Sequence, residues 1–474
     1  MRGKTIRRGP FGARLIDFVG DVSVTSPARF AIIVFALLVA LFAVLFSLPI
    51  ATASGHQAPL VDAVFTAVSV VCVTGLSSVD MATFWSPFGH LLVFLGVEIG
   101  GIGVLTFASI LGLVISRKLG LRQKLVAASD ANPLRLHRGP VPESQAVRLG
   151  ETGGLLLTVA TSVLVIEGAV AALLFPRMLL NGDDPWTAAW QSVYTSAMAF
   201  TNTGFLPGRA GLAPYAHDAW FLIVLMIGVV FGAIGFPVIY ALRRGWRTPR
   251  RWSLHVKLTL ATFGILLVGG AVVYFLIEFN NPQTMAGMDP GQRILQSFFL
   301  STMARSGGFS TFDTSQLGSA GLLVTDMLMF VGGGSASTAG GIKVTTIAVL
   351  FIAALAEARG TGDMEVWGRR VPQDVLRVAI SVLLWAVTIV AVATIALLLI
   401  TGDSLDRVLF DVISAFTTCG LSTGFAAHAP PAAQYVLAAT MLVGRIGTVT
   451  LAAAVAASSR PRLYHRPEER PIVG

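Results

Sequence analysis

Four short segments share one pattern, and it restricts the fold more than any other feature of the chain. Aligned on a glycine they read FTAVSVVCVTGL (65–76), YTSAMAFTNTGF (194–205), FFLSTMARSGGF (298–309) and FDVISAFTTCGL (410–421). An aromatic residue stands ten positions before each glycine (Phe65, Tyr194, Phe298 and Phe410), and a large apolar residue follows it (Leu76, Phe205, Phe309 and Leu421). Long apolar runs flank every segment, at about 30–49, 88–115, 154–176, 219–242, 257–278, 320–357, 378–401 and 433–457, each long enough to cross a bilayer. The stretches carrying the glycines (60–74, 186–202, 290–306 and 405–418) are too short to span and too apolar for ordinary loops. They read as re-entrant half-helices, so the unit span, half-helix, turn, span recurs four times. The expected fold class is an all-α polytopic membrane protein, with the four units in pseudo-fourfold arrangement around one pore.

Composition agrees. Apolar residues make up 54% of the 474 positions and charged residues 12%, about half the charge of a soluble domain. The mean hydropathy is +0.75. A net charge of +9 could suggest nucleic acid, but 29 of the 34 Lys and Arg lie before the first run, after the even-numbered runs or in the sixth-to-seventh segment and the tail, with Arg445 inside the last run. The other five, Arg177, Arg209, Arg293, Arg305 and Arg407, lie on the half-helix side. This is the positive-inside pattern, with both termini in the cytoplasm and the half-helices entering from outside; no nucleic-acid partner is expected. The basic start runs into the first span without a small-residue cleavage site, so no cleaved leader is expected. Two cysteines, Cys72 and Cys419, make no disulfide framework and have no zinc-ligand spacing. No convergent His, Asp or Glu set marks a catalytic centre, so no enzyme and no cofactor are expected in this chain.

The physics of the repeated unit points to one task. Non-helical backbone at membrane depth survives where it is buried in protein or lines a wet cavity. Four such turns around one axis can replace the hydration shell of a monovalent cation with backbone carbonyls. Glycine at 75, 204, 308 and 420 permits φ > 0 and so lets neighbouring carbonyls turn inward. Each half-helix also directs its partly negative C-terminal end at the membrane centre, which favours a cation there. A coupled secondary transporter is the competing class, but those folds are mostly built from two inverted repeats rather than four of one orientation.

The repeat resembles the potassium-translocating subunits of the Trk/Ktr/HKT superfamily, and is similar above all to the Ktr type (KtrB-like), because no additional helix pair precedes the first span; the Trk type is the alternative within the superfamily. The resemblance covers about 30 to 457 and rests on EIGGIG (98–103), FTNTGF (200–205), RSGGFST (305–311), GGGSASTAGGIK (332–343), TTCGLSTG (417–424) and GRIG (444–447). It implies a K+ selectivity filter, made mainly by backbone carbonyls, from Cys72, Val73, Thr74 and Gly75; Thr201, Asn202, Thr203 and Gly204; Arg305, Ser306, Gly307 and Gly308; and Thr417, Thr418, Cys419 and Gly420. Serine at a filter glycine marks Na+-conducting relatives, so four glycines favour K+. A homodimer is implied, in a plasma membrane of bacterial kind, together with a KtrA-like cytoplasmic ring that binds ATP or ADP in trans; Na+ is a possible activator and membrane lipid a further contact.

Five glycines in the twelve residues 332–343 cannot propagate a helix, each costing about 1 kcal/mol relative to alanine. Ile342 separates the last glycine from Lys343 and no Ser or Thr follows, so this is not a Walker loop. The resemblance makes it a mobile gating loop beneath the filter, including Gly332, Gly333, Gly334, Ser335, Ser337, Thr338, Gly340, Gly341 and Lys343. Arg445 lies inside the last run, where an unpaired charge costs at least about 2.5–3.5 kcal/mol, so it should face the pore or a partner. The resemblance implies an electrostatic barrier there that also meets the loop, while the residues alone allow a structural ion pair. Arg305 would be repulsive in a cation filter unless it points behind it. Glu98 and Asp326 are further acids within spans, with Glu98 a departure from the family's usual glutamine. Asp80 and Asp313 could draw cations into an outer vestibule or could simply be loop acids. The expected organisation is a basic cytoplasmic N-terminus (1–29), repeats at 30–150, 151–256, 257–377 and 378–457, and a cytoplasmic tail (458–474).

Overall fold

The structure is a computed structural model, and it describes residues 27–118, 149–208 and 211–447. Arg209, most of the N-terminal segment, much of the 116–150 segment and the tail lie outside the described residues. Among the described residues, fourteen helices of ten residues or more carry the four units. The first has α1 (Pro27–Phe46), half-helix α2 (Leu60–Val71) and α3 (Pro87–Lys118); the second has α4 (Leu149–Leu180), half-helix α5 (Pro185–Phe200), α6 (Ala219–Ile234) and α7 (Phe236–Gly245). The third has α8 (Leu254–Glu278), half-helix α9 (Pro290–Met303), α10 (Ser319–Phe330) and α11 (Val344–Ala358); the fourth has α12 (Gln373–Thr401), half-helix α13 (Leu405–Thr417) and α14 (Pro431–Leu442). A hairpin of β1 (Met364–Val366) and β2 (Arg369–Val371) joins units three and four.

The interior holds a large apolar core, but the surface is apolar too. Leu399 on α12 is 83% exposed and Ile265 on α8 is 71% exposed, while Asn202, Arg305, Thr417 and Asp411 are fully buried. An apolar outer surface of this extent suits hydrocarbon surroundings. The half-helices occupy the interior: Phe65 on α2, Tyr194 on α5 and Phe410 on α13, three of the aromatics that define the pattern, are all buried, while their counterpart on α9, Phe298, is half-buried.

Local chemistry starts and stops these short helices. α5 and α9 open on prolines, whose missing N–H costs nothing in a first helical turn. Asp184 caps α5 by accepting from the amides of Trp186 and Thr187, and Asp289 caps α9 through the amide of Gln292. Hydrogen bonds from the Thr187 hydroxyl and amide hold the Asp184 carboxylate below its ordinary range.

Among the described residues, two apolar runs break into separate helices. The sixth breaks between α10 and α11 at the glycine-rich loop, as its composition predicts. The fourth, read as one span at 219–242, bends by 104° between α6 and α7. The reason is Gly235, at φ 88° and ψ 152°, followed directly by Phe236 and Pro237. That backbone region is open almost only to glycine.

At the C-terminal end of α8, Glu278 ties three segments together. Its carboxylate accepts from Asn281 Nδ2 (2.6 Å), Thr284 Oγ1 (2.8 Å) and the amide of Gly318 (3.2 Å), and its side chain is buried. Glu278→Gln puts an amide group where only donors converge. The expected loss is about 1–3 kcal/mol, seen as a lower apparent Tm of the detergent-solubilised protein.

Candidate functional site

Each half-helix ends in the same backbone turn. A residue in the left-handed region comes first, then one ordinary residue, then the glycine, again at positive φ. The pairs are Val73 (56°) and Gly75 (91°), Asn202 (63°) and Gly204 (85°), Ser306 (67°) and Gly308 (72°), and Thr418 (48°) and Gly420 (94°). The amides of Thr74, Thr203 and Cys419 donate to the carbonyls five residues earlier, of Ser69 (2.7 Å), Met198 (2.9 Å) and Ser414 (2.9 Å). These three are Schellman-type helix ends, whereas in the third turn the amide of Gly307 donates to Met303, four residues earlier (2.7 Å). The sequence pointed to the glycines but not to the first left-handed position, which is occupied by Val, Asn, Ser and Thr. A β-branched valine there is strained, and four turns sharing the same conformation show that the surroundings impose it.

The four turns meet. A Cβ built on Gly308 would lie 2.7 Å from the carbonyl oxygen of Cys419 and 2.8 Å from that of Thr203. One on Gly420 would lie 2.6 Å from the carbonyl oxygen of Thr74, and one on Gly204 would lie 2.7 Å from that of Gly308. On Gly75 it would collide with the carbonyl of Thr203. Contacts thus link Gly75 with Thr203, Gly204 with Gly308, Gly308 with Cys419 and Gly420 with Thr74, a ring whose centre is tight enough that the Thr203 carbonyl oxygen also lies 2.9 Å from a Cβ on Gly420, across from it. The carbonyl oxygens of Thr74, Thr203 and Cys419, each one residue before a ring glycine, fill the space between quadrants. Around them Cys72, Val73, Thr201, Asn202, Thr203, Ser306, Thr417, Thr418 and Cys419 are all buried. Carbonyl oxygens gathered this closely are the kind of group that can replace water around a dehydrated cation.

Arg305 points away from the ring. Its Nη2 donates to the carbonyl of Gly332 (2.9 Å), and its guanidinium carbon sits 4.1 Å from the ring centre of Phe263 on α8. A cation–π contact and a carbonyl thus hold the charge behind the turn. Phe263 was not singled out from the sequence, and nothing in its local pattern marks it.

The glycine-rich loop presses against these turns. Val331 and Ile342 pair in parallel, with the amide of Gly332 donating to Ile342 (2.9 Å) and that of Val344 to Gly333 (3.0 Å). Across from them, the amide of Gly334 donates to Ala233 (2.7 Å), that of Thr338 to Gly232 (3.3 Å), and Ala336 accepts from Phe236 (3.2 Å). The bend after α6 is thus a docking strip for the loop, and the Gly232–Pro237 stretch GAIGFP carried a signal that a helix-period reading passes over. Gly235 has no room for a side chain, since a Cβ would lie 2.7 Å from the carbonyl oxygen of Ser335.

Thr338 is the point of closest engagement. Its hydroxyl lies 2.6 Å from Asn202 Oδ1 and 3.0 Å from the carbonyl oxygen of Phe200, while its own carbonyl accepts from Arg445 Nη1. Gly340 and Gly341 abut Thr417, where a Cβ on Gly341 would meet the Thr417 Cβ at 3.2 Å. Lys343 Nζ donates to the carbonyl of Ala339 (2.6 Å), and Ser335 and Thr345 hydroxyls are 3.1 Å apart. The loop from the third unit therefore touches the second and the fourth. Arg445 is buried in a π-helical turn, Val443–Gly447, that follows α14. Its partner is a loop carbonyl, not an acid.

The remaining acids are placed differently. Asp80 caps the short helix Met81–Phe84 through Ala82 N (3.1 Å), and Asp313 accepts from Ser315 N (2.9 Å), so both serve as local caps. Glu98 meets Glu167 of α4, an acid the sequence reading did not single out.

Comparison with known proteins supplies an independent view. Residues 20–462 match the family described as TrkH, cation transport protein. The chain is 33% identical over 457 residues to Ktr system potassium uptake protein D of Bacillus subtilis, covering 96% of this chain and 98% of that one. It is 32% identical to Ktr system potassium uptake protein B of Vibrio alginolyticus, covering 91% of each, and 28% identical to the potassium/sodium uptake protein NtpJ of Enterococcus hirae, covering 95% and 97%. Among solved structures it resembles the potassium transporter TrkH from Vibrio parahaemolyticus, with a TM-score of 0.68 at 18% identity over 90% of this chain and 83% of that one.

Proposed function

Since the chain belongs to the TrkH family of cation transport proteins, we propose that it is the K+-translocating membrane subunit of a Ktr-type uptake system. The observation that carries this reading is the closed ring of four turns resting on a loop that reaches across from the third unit. The residues 72–75, 201–204, 305–308 and 417–420 act as the filter. Their carbonyls replace water around K+, and Rb+ is expected to follow it closely while Na+, with its tighter hydration shell, permeates less.

In this reading the loop 332–343 is the gate and Arg445 is its clasp as well as a positive barrier to cations. An inside-negative membrane drives entry with about 2.3 kcal/mol per charge per 100 mV. The four repeats span 30–150, 151–256, 257–377 and 378–457, with both termini in the cytoplasm, as the distribution of Lys and Arg supports. The protein works in the plasma membrane as a homodimer on a KtrA-like cytoplasmic ring, which supplies ATP or ADP sensing. The basic stretches 243–257 and 358–377 offer the ring and lipid headgroups a contact surface.

Proteoliposomes with an imposed inside-negative potential provide the test. Saturable K+ and Rb+ uptake well above Na+ uptake is the expected result. An absence of voltage-driven cation flux, in the complete protein and in a variant lacking residues 335–339, would overturn the pore reading.

A further inference from the structure

One filter turn differs from the other three in what its side chain touches. Asn202 occupies the first left-handed position of the second turn, and its amide is used at both ends. Nδ2 donates to the carbonyl of Val229 on α6 (3.2 Å), and Oδ1 accepts from Thr338 Oγ1 of the glycine-rich loop (2.6 Å). Both residues are buried, so neither group exchanges its partner for water without cost. At the corresponding position the first turn has Val73, which has no side-chain hydrogen-bonding group; Ser306 of the third turn approaches only the carbonyl of Thr417, at 3.5 Å. Thr418 of the fourth turn meets the loop at Gly340 by packing.

We propose that Asn202 is a positioning residue that latches the filter to the gate: its side chain holds Thr338 while the loop is closed and orients the second turn's backbone in the same act. Gate position and ion discrimination are then coupled through one hydrogen bond, and this inference rests on the pore reading above. The geometry supports it from both sides. The loop cannot leave the filter without breaking the Thr338 contact. Once it has left, the Asn202 side chain keeps only its anchor to Val229, so the turn at φ 63° loses one of its two side-chain restraints while its backbone amide stays on Ala199 (3.2 Å). By reciprocity, an ion that changes the strain at Asn202 changes the loop's equilibrium by the same factor.

The test is a double-mutant cycle on the full chain in proteoliposomes. Thr338→Val removes the hydroxyl at nearly constant shape. Asn202→Gly removes the side chain while keeping a backbone that accepts positive φ. Each single variant is expected to raise basal K+ flux, without the regulatory ring, roughly fivefold, the equivalent of one net buried hydrogen bond. The double variant should rise no further than the larger single effect, and Thr338→Ser, which retains the hydroxyl, should behave as wild type. The Rb+-to-Na+ flux ratio should fall in Thr338→Val although that residue lies outside the filter, a change that simple loosening of the loop would not cause. Multiplying effects in the double variant, or an unchanged ion ratio in Thr338→Val, would overturn the latch and leave the pore reading standing. Absence of K+ flux in wild type and in the variant lacking residues 335–339 would overturn both.

Discussion

Gly308→Ser is expected to lower K+ uptake by about ten- to a hundredfold and to bring the K+ and Na+ rates together. Two effects act in the same direction. The glycine sits at φ 72°, where a serine is strained, and its new Cβ would lie 2.7 Å from the carbonyl oxygen of Cys419 and 2.8 Å from that of Thr203. A carbon cannot occupy that place, so the third and fourth turns must part. Backbone strain of this kind is worth about 1–3 kcal/mol, which sets the expected loss. Oxygens that have moved apart no longer match one ion radius, so discrimination falls together with rate. Paired uptake assays with Rb+ and Na+ on wild type and variant check both. An unchanged ion ratio would mean that Gly308 lies outside the ion's path.

Arg445→Gln is expected to raise basal K+ flux by roughly ten- to a hundredfold, in proportion to the loss of a charge-assisted hydrogen bond worth about 1.5–3 kcal/mol. Glutamine removes the charge and shortens the side chain but retains a neutral amide donor on the side of the Thr338 carbonyl, the loop contact made by the guanidinium. Arg445→Met removes that donor as well. If the charge itself is the obstacle, the two variants conduct alike; if the clasp on Thr338 dominates, methionine conducts more. Flux measured without the regulatory ring separates these outcomes, and no increase in either variant would remove Arg445 from the gate.

The half-helices were legible because they carry a pattern that recurs: an aromatic, ten positions, a glycine, an apolar residue. α2, α5, α9 and α13 lie where that pattern places them. The break at 332–343 was legible from glycine density alone. The bend after Ile234 was not, because Gly235 is a single residue inside an apolar run and a hydropathy reading averages over it. The partners of Arg305 were hidden for another reason. Phe263 and the carbonyl of Gly332 come from other segments of the chain, and an aromatic in a span looks alike whether it faces lipid or a guanidinium. The contact between Asn202 and Thr338 likewise joins two repeats, and short-range patterns do not encode such pairings. For Asp80 and Asp313 the sequence left two readings open, vestibule charges or plain loop acids, and the structure adds that both cap local turns.

The ring described above is closed by its two most distant members, the turn at Gly420 lying against the turn at Gly75. A ribosome releases those turns at opposite ends of synthesis, and the first three quadrants enter the bilayer with one wall missing. In the pore reading proposed above, an unfinished chain therefore has no completed conduit through which a cell could lose its ion gradients, and the loop proposed as the gate is made before the last turn that completes the ring.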